Sequence, residues 1–127
     1  MTDQPTARVV AVVDDDPGIL RSLEYLLESA DYAVRLFASG SQLMDSGCLP
    51  QIDCLISDID MPGMDGFELL RQVHAARPGL PIVLITGYPE TLKRLPTRGD
   101  SKPRCFTKPF QGPELLAAIG ESLHRQR

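Results

Sequence analysis

The chain has 127 residues, 43% of them hydrophobic and 24% charged, which is enough for one domain with a substantial core and too little for two. Its net charge of −4 provides no global attraction to nucleic acid or to an anionic membrane surface, so neither is expected as a direct partner. No apolar run approaches the roughly 20 residues that span a bilayer, and the start, Met-Thr-Asp-Gln-Pro-Thr, has no basic-plus-hydrophobic signal pattern, so a cytoplasmic location is expected.

Residues 1–7 are polar, contain Pro5, and read as a loose tail. Val9-Val10-Ala11-Val12-Val13 is continuous, mostly β-branched and too short for a helix, which fits a strand buried on both faces. It ends on Asp14-Asp15-Asp16. Pro17 suits a first helical turn with Asp16 as N-cap, and Leu20, Leu23, Leu27 and Ala30 then form one apolar helix face. Ala33-Val34-Arg35-Leu36-Phe37 carries a charge inside its apolar run, as strands near a sheet edge do. Ser39-Gly40-Ser41 opens a short helix through Leu43 and Met44, closed by Gly47 and Pro50.

A third strand spans about 53–57, and its apolar run Cys54-Leu55-Ile56 gives way to a carboxylate at Asp58. Met61-Pro62-Gly63 cannot extend a central strand, because Pro62 lacks a ladder N–H and Gly63 favours a turn. Asp65 and Glu68 resemble a capping pair for the next helix, whose expected buried stripe is Leu69, Leu70 and Val73, and which Pro78-Gly79 ends. Ile82-Val83-Leu84-Ile85 is a fourth apolar strand ending on Thr86-Gly87. Pro89, Pro96 and Pro103 break the interval before the fifth strand, Arg104-Cys105-Phe106-Thr107, which ends on Lys108-Pro109. At most about two helical turns, Glu90 to Leu95, fit between those prolines, and isolated helices that short are marginal. Weak or irregular structure is therefore expected at 92–103, in an interval that collects Lys93, Arg94, Arg98, Lys102 and the following Arg104 against Glu90 and Asp100. Gly112-Pro113-Glu114 starts a last helix with Leu115, Leu116, Ile119 and Leu123 inward.

Alternating strands and helices imply an α/β fold, a parallel sheet with helices on both faces. The all-apolar first, third and fourth strands belong in its middle, and the charged second and short fifth at its edges. The resulting order, 2-1-3-4-5, is that of a flavodoxin-like doubly wound five-stranded sheet, here with a degenerate fourth helix. All 127 residues are expected to form this single domain.

That order brings Asp14, Asp15, Asp58, Thr86 and Lys108 to one edge of the sheet, where open α/β sheets bind their ligands. Two like charges about 4 Å apart repel by roughly 4 kcal/mol at an effective dielectric of about 20, so three clustered carboxylates must hold a proton or a cation. Oxygen ligands without His or Cys favour a hard ion, Mg²⁺ (or Mn²⁺). Lys108 supplies positive charge for a transferring phosphoryl group, Thr86 a hydroxyl donor, and Asp58 the nucleophile of an aspartyl phosphate. Taken singly, these residues have blander readings. Asp16 and Asp65 read as helix caps, Thr86 as a strand-end hydroxyl, Lys108 as a solvated charge and Cys54 as a small core residue. His74 and His124 fall on polar helix faces. Cys48, Cys54 and Cys105 are an odd set without Cys-x-x-Cys spacing, so neither a disulfide framework nor a zinc site is expected.

Val-Val-Asp-Asp-Asp-Pro, Asp-Ile-Asp-Met-Pro-Gly-Met-Asp-Gly, Ile-Thr-Gly and Lys-Pro-Phe, in that order, resemble the motifs of a response-regulator receiver domain across residues 8–125. Among receivers they are most similar to those of nitrogen-fixation-type regulators. The resemblance implies a phosphoacceptor of a two-component phosphorelay, not an enzyme with a separate substrate. Asp58 would take a phosphoryl group from a sensor histidine kinase or a histidine phosphotransfer protein. Asp14 or Asp15, with Asp58 and the Asp60 carbonyl, would hold Mg²⁺, while Thr86 and Lys108 would sense and stabilise the phosphoryl group. It also implies a cis Lys108–Pro109 bond, a path for attacking water flanked by Asp60 and Tyr88, and signalling to a downstream protein or through a homodimer. The chain departs from the pattern at Cys105, three before Lys108, where receivers carry an aromatic ring. A rival reading takes Asp58-Ile59-Asp60 as the first motif of a haloacid-dehalogenase-type phosphatase. The upstream Asp14-Asp15 and the following Met61-Pro62 both run against that motif order. A third reading is a receiver-shaped interaction module that works without phosphorylation.

Overall fold

The computed structural model describes residues 7–94 and 103–125. The five segments expected to be strands are strands: β1 (Val9–Val13), β2 (Ala33–Phe37), β3 (Cys54–Asp58), β4 (Ile82–Thr86) and β5 (Arg104–Thr107). All pairings are parallel, and the sheet order is β2-β1-β3-β4-β5, the flavodoxin-like order. The connections carry four α-helices among the described residues, α1 (Pro17–Ser29), α2 (Gly40–Ser46), α3 (Gly66–Ala76) and α4 (Gly112–Arg125). None of them is long and apolar enough to cross a membrane.

Because side chains alternate along a strand, each central strand feeds two cores. Val10, Val12, Cys54, Ile56, Val83 and Ile85 point to the face covered by α1 and α4, where Leu23, Leu27, Leu115, Ile119 and Leu123 meet them. Ala11, Val13 and Leu55 point to the opposite face, against Leu43 of α2 and Leu69 and Val73 of α3. This double coverage is why β1, β3 and β4 read as unbroken apolar runs. Arg35 sits exposed on the edge strand β2. The thiols of Cys48 and Cys54 are buried, that of Cys105 is half-buried, and all three are free. Burial pushes the Cys54 thiol up to about 12, as suits a core residue without redox chemistry.

Helix starts follow their capping chemistry. Asp16 accepts hydrogen bonds from the Gly18 and Ile19 N–H groups, with Pro17 in the first helical position, and Asp65 Oδ1 accepts the Glu68 N–H at 2.9 Å. The Asp65–Glu68 pair is only half a capping box, since the Glu68 carboxylate bonds Arg71 and Gln72 instead of returning to Asp65. Two expected core positions also differ. Ala30 is the C-cap of α1, after the last helical residue, and Leu70 is half-buried and faces a groove rather than the core.

Between β4 and β5 the described residues hold a 3₁₀ turn, Pro89–Arg94, in place of an α-helix. Its first bond is the i→i+3 donation from Thr91 N–H to the Tyr88 carbonyl, at 2.9 Å. The rest of the interval expected to be irregular, 95–102, lies outside the described residues, as do residues 1–6 of the expected tail.

Two glycines shape the loop after β3. Gly63 has φ +75°, a left-handed conformation that costs other residues dearly. Gly66 opens α3 against the strand end, donating its N–H to the Ile59 carbonyl at 2.9 Å. A Cβ there would lie 2.6 Å from Ile59 Cα and 2.7 Å from the Asp58 carbonyl oxygen, both backbone atoms. We predict that Gly66→Ala destabilises the fold by about 1–3 kcal/mol, the usual cost of overpacking, measured as a lower urea midpoint at unchanged slope.

Candidate functional site

The strand register delivers the polar residues to one edge. One step beyond the paired Val13 and Ser57 come Asp14 and Asp58, and one step beyond the paired Thr86 and Thr107 comes Lys108. The Lys108 N–H donates to the Thr86 carbonyl at 2.7 Å, and the Lys108–Pro109 bond is cis. Asp14, Asp58 and Lys108, with Asp15, Asp16, Asp60, Gly87 and Tyr88, line a cleft of about 320 Å³.

Asp14 and Asp58 are 1% and 3% exposed, so both carboxylates have left bulk water. Lys108 Nζ stands 3.3 Å from Asp14 Oδ2 and 3.3 Å from Asp58 Oδ1, tying β1, β3 and β5 together through one cation. The other Asp14 oxygen accepts the Asp16 N–H at 2.9 Å. Asp58 Oδ1, although close to the ammonium, is buried without a hydrogen-bond partner of proper geometry. Asp15 is exposed at the mouth, and ligand oxygens of Asp14, Asp15 and Asp58 lie within 4.8 Å of one another.

The charges explain the titration of the site. Burial, followed by repulsion from Asp14, pushes the Asp58 carboxyl up to about 6, against the opposing pull of Lys108. Asp14 is raised too, mainly by burial, with the Asp16 N–H and Lys108 working the other way. Burial would lower the Lys108 pKa, but the Asp14 and Asp58 carboxylates together outweigh it, and the net shift is upward. One ammonium thus leaves two buried acids under-compensated. The unpartnered Asp58 oxygen beside two more carboxylates fits a hard divalent ion, for which the donor set contains only oxygen.

Thr86 is fully buried, and its hydroxyl is committed elsewhere: Oγ1 donates to Asp60 Oδ2 at 2.6 Å. It also accepts the Tyr88 N–H at 3.0 Å. The Thr91 hydroxyl lies 3.5 Å from the other Asp60 oxygen. The Asp60 side chain is therefore turned toward β4 and the 3₁₀ turn, outside the carboxylate group formed by Asp14, Asp15 and Asp58. Sequence reasoning placed Asp60 and Thr86 at the site but missed their bond and missed Thr91 altogether. Nothing in the spacing announces it, since Asp60 and Thr91 are 31 positions apart. Asp16 caps α1 as its sequence context implies, and His74 and His124 are exposed, away from the cleft. Tyr88 is 58% exposed at the cleft's rim, and Cys105 is half-buried in β5.

Known proteins are similar to this chain over most of its length. The family model described as the response regulator receiver domain matches residues 10–120. The transcriptional regulatory protein FixJ of Bradyrhizobium diazoefficiens is 35% identical over 119 residues, 92% of this chain and 57% of that protein. FixJ of Azorhizobium caulinodans is 31% identical over 121 residues, 95% of this chain and again 57% of the relative, so the chain spans little more than half the length of either. A CheY-like receiver domain protein from Methanospirillum hungatei JF-1 superposes with a TM-score of 0.79 at 28% identity, covering 95% of this chain and 97% of that one. A haloacid-dehalogenase reading of Asp58-Ile59-Asp60 gives way to this match, which includes the upstream Asp14-Asp15 pair. The chain belongs to the response regulator receiver domain family of two-component systems.

Proposed function

We propose that this chain is a phosphoacceptor: Asp58 takes a phosphoryl group from a phosphohistidine of a sensor histidine kinase or a histidine phosphotransfer protein. The observation that carries the reading is the buried Asp58 carboxylate, with one oxygen lacking a hydrogen-bond partner, beside Lys108 and two further acids. Asp14, Asp15 and Asp58, with the Asp60 carbonyl, would hold Mg²⁺ or Mn²⁺, whose chemistry there is to draw negative charge off the phosphoryl oxygens.

In the transfer, an Asp58 oxygen bonds to phosphorus as the N–P bond of phosphohistidine breaks, and the imidazole leaves with the bonding pair and takes up a proton. Lys108, held by Asp14, neutralises charge on the phosphoryl oxygens without leaving the site. Thr86 supplies the hydroxyl that registers the product. The chain turns over no separate substrate in this reading. It works in the cytoplasm, as a single domain over residues 1–127, and signals to a downstream protein or through a homodimer.

Intact mass after incubation with Mg²⁺ and a small phosphodonor such as acetyl phosphate tests the assignment. We expect one labile phosphoryl adduct on the wild type, none on Asp58→Asn, and none in excess chelator. An Asp58→Asn protein labelled like the wild type would sink it, and repeated turnover of phosphomonoesters would favour the phosphatase. Lys108→Ala should lower the labelling rate by roughly 10²-fold or more, the scale of losing one preorganised charged donor, measured in the same assay.

The raised acids also set a pH dependence. Between its unfolded value of 3.8 and its folded value of about 6, Asp58 holds more protons folded than unfolded, so its ionisation destabilises the fold as pH rises through that window. The full cost, on the order of 3 kcal/mol, is present above it. Asp58→Asn should therefore be more stable than the wild type at pH 7.5 in chelator, and the gain should vanish below about pH 4. Urea unfolding at the two pH values checks both halves.

A further inference from the structure

We propose that the Asp60 carboxylate is a positioning residue that competes with the phosphoryl group for the Thr86 hydroxyl, and so sets how readily the site switches. This rests on the phosphoacceptor reading and goes beyond it, because it assigns a role to the Asp60 side chain rather than to its carbonyl.

A threonine hydroxyl has one proton to donate. Here it goes to the Asp60 carboxylate, Oδ2, at 2.6 Å, and the alternative acceptor, the Tyr88 carbonyl, is farther away at 3.3 Å. Thr86 is fully buried, which shields its hydroxyl from bulk solvent. The hydroxyl can bond a phosphoryl oxygen on Asp58 only after leaving Asp60. Asp60 thereby holds the resting state, and phosphorylation must offer Thr86 a better acceptor than a carboxylate.

The second consequence lies beyond Thr86. Asp60 also faces the Thr91 hydroxyl, 3.5 Å from its Oδ1, so one carboxylate joins the loop after β3 to both β4 and the Pro89–Arg94 turn. Arg94, at the end of that turn, stacks 4.5 Å over the Phe67 ring and lies 3.7 Å from Asp65, at the start of α3. Loss of the Thr86 bond frees Asp60 and with it the inner tether of the turn. Position 105, three before Lys108, is a cysteine with no ring to reorient, so in this chain the turn is tied to Thr86 through Asp60.

A double-mutant cycle with beryllofluoride and Mg²⁺ tests the competition by ¹⁹F NMR titration, a binding readout that needs no phosphodonor. The four proteins are the wild type, Asp60→Ala, Thr86→Val and the double variant. Both substitutions keep the main-chain carbonyls, and Thr86→Ala repeats the cycle should the valine protein unfold. Asp60→Ala should tighten beryllofluoride binding, partly because a negative charge has gone. The tightening should be on the order of tenfold greater when Thr86 is present than when it is valine, the size of one charge-assisted hydrogen bond. Asp60→Asn keeps an oxygen for the hydroxyl and should show a smaller gain than Asp60→Ala. Equal tightening in the threonine and valine backgrounds would overturn the proposal, since Asp60 would then act through charge alone. Failure of all four proteins to bind beryllofluoride would overturn the phosphoacceptor reading and this inference with it.

Discussion

One ammonium group holds the functional edge of this protein together. Lys108 Nζ is the cation between Asp14 and Asp58, two carboxylates that burial has stripped of solvent and that repel one another. Removing either acid's partner would leave a buried charge uncompensated, which is far costlier than losing an exposed pair. The bridge also crosses the sheet, linking the ends of β1, β3 and β5, so the electrostatics of the site and the packing of the strands are one problem.

The compensation is incomplete. Two buried carboxylates face one cation, and an Asp58 oxygen has no hydrogen-bond donor of its own. Burial first, and the neighbouring carboxylates after it, raise both acids above their ordinary range against the opposing pull of Lys108. The Asp58 carboxylate, with one oxygen lacking a hydrogen-bond partner, lines the cleft beside two further acids. The fold bears the cost of burying these charges because its two cores are well covered: helices on both faces bury β1, β3 and β4 almost completely. Gly66 lets α3 begin directly against the Asp58 backbone, which brings the loop after β3 over the site.

After β4, the described residues begin the connection with a 3₁₀ turn instead of an α-helix. Its described part is a six-residue 3₁₀ turn, held by polar and charged contacts of Thr91 and Arg94 rather than by an apolar helix face. Segments fixed by few buried contacts open at low free-energy cost. The turn's Thr91 meets Asp60, the same carboxylate that the Thr86 hydroxyl bonds.

The strands, their order and the acids at their ends were legible in the linear chain, because each depends on local pattern. Val9–Val13 and Ile82–Ile85 are mostly β-branched apolar runs too short for helices, Asp16-Pro17 is a local cap, and a charge at Arg35 marks an edge strand. The sheet order then follows from which strands are apolar throughout, and strand ends follow from the order. Tertiary structure alone decided which polar atoms pair. Leu70 and Ala30 have core-like spacing, yet one faces a groove and the other ends a helix, because burial depends on what packs opposite. The Thr86 hydroxyl could have faced Asp58, Lys108 or solvent. It faces Asp60, 26 positions away, through a contact set by side-chain rotamers and a loop path that no periodicity encodes. Asp14 and Lys108, 94 positions apart, meet for the same reason. Hydrophobic pattern specifies a face of an element, whereas a hydrogen bond requires a distance and an angle, and those exist only once the chain has closed on itself.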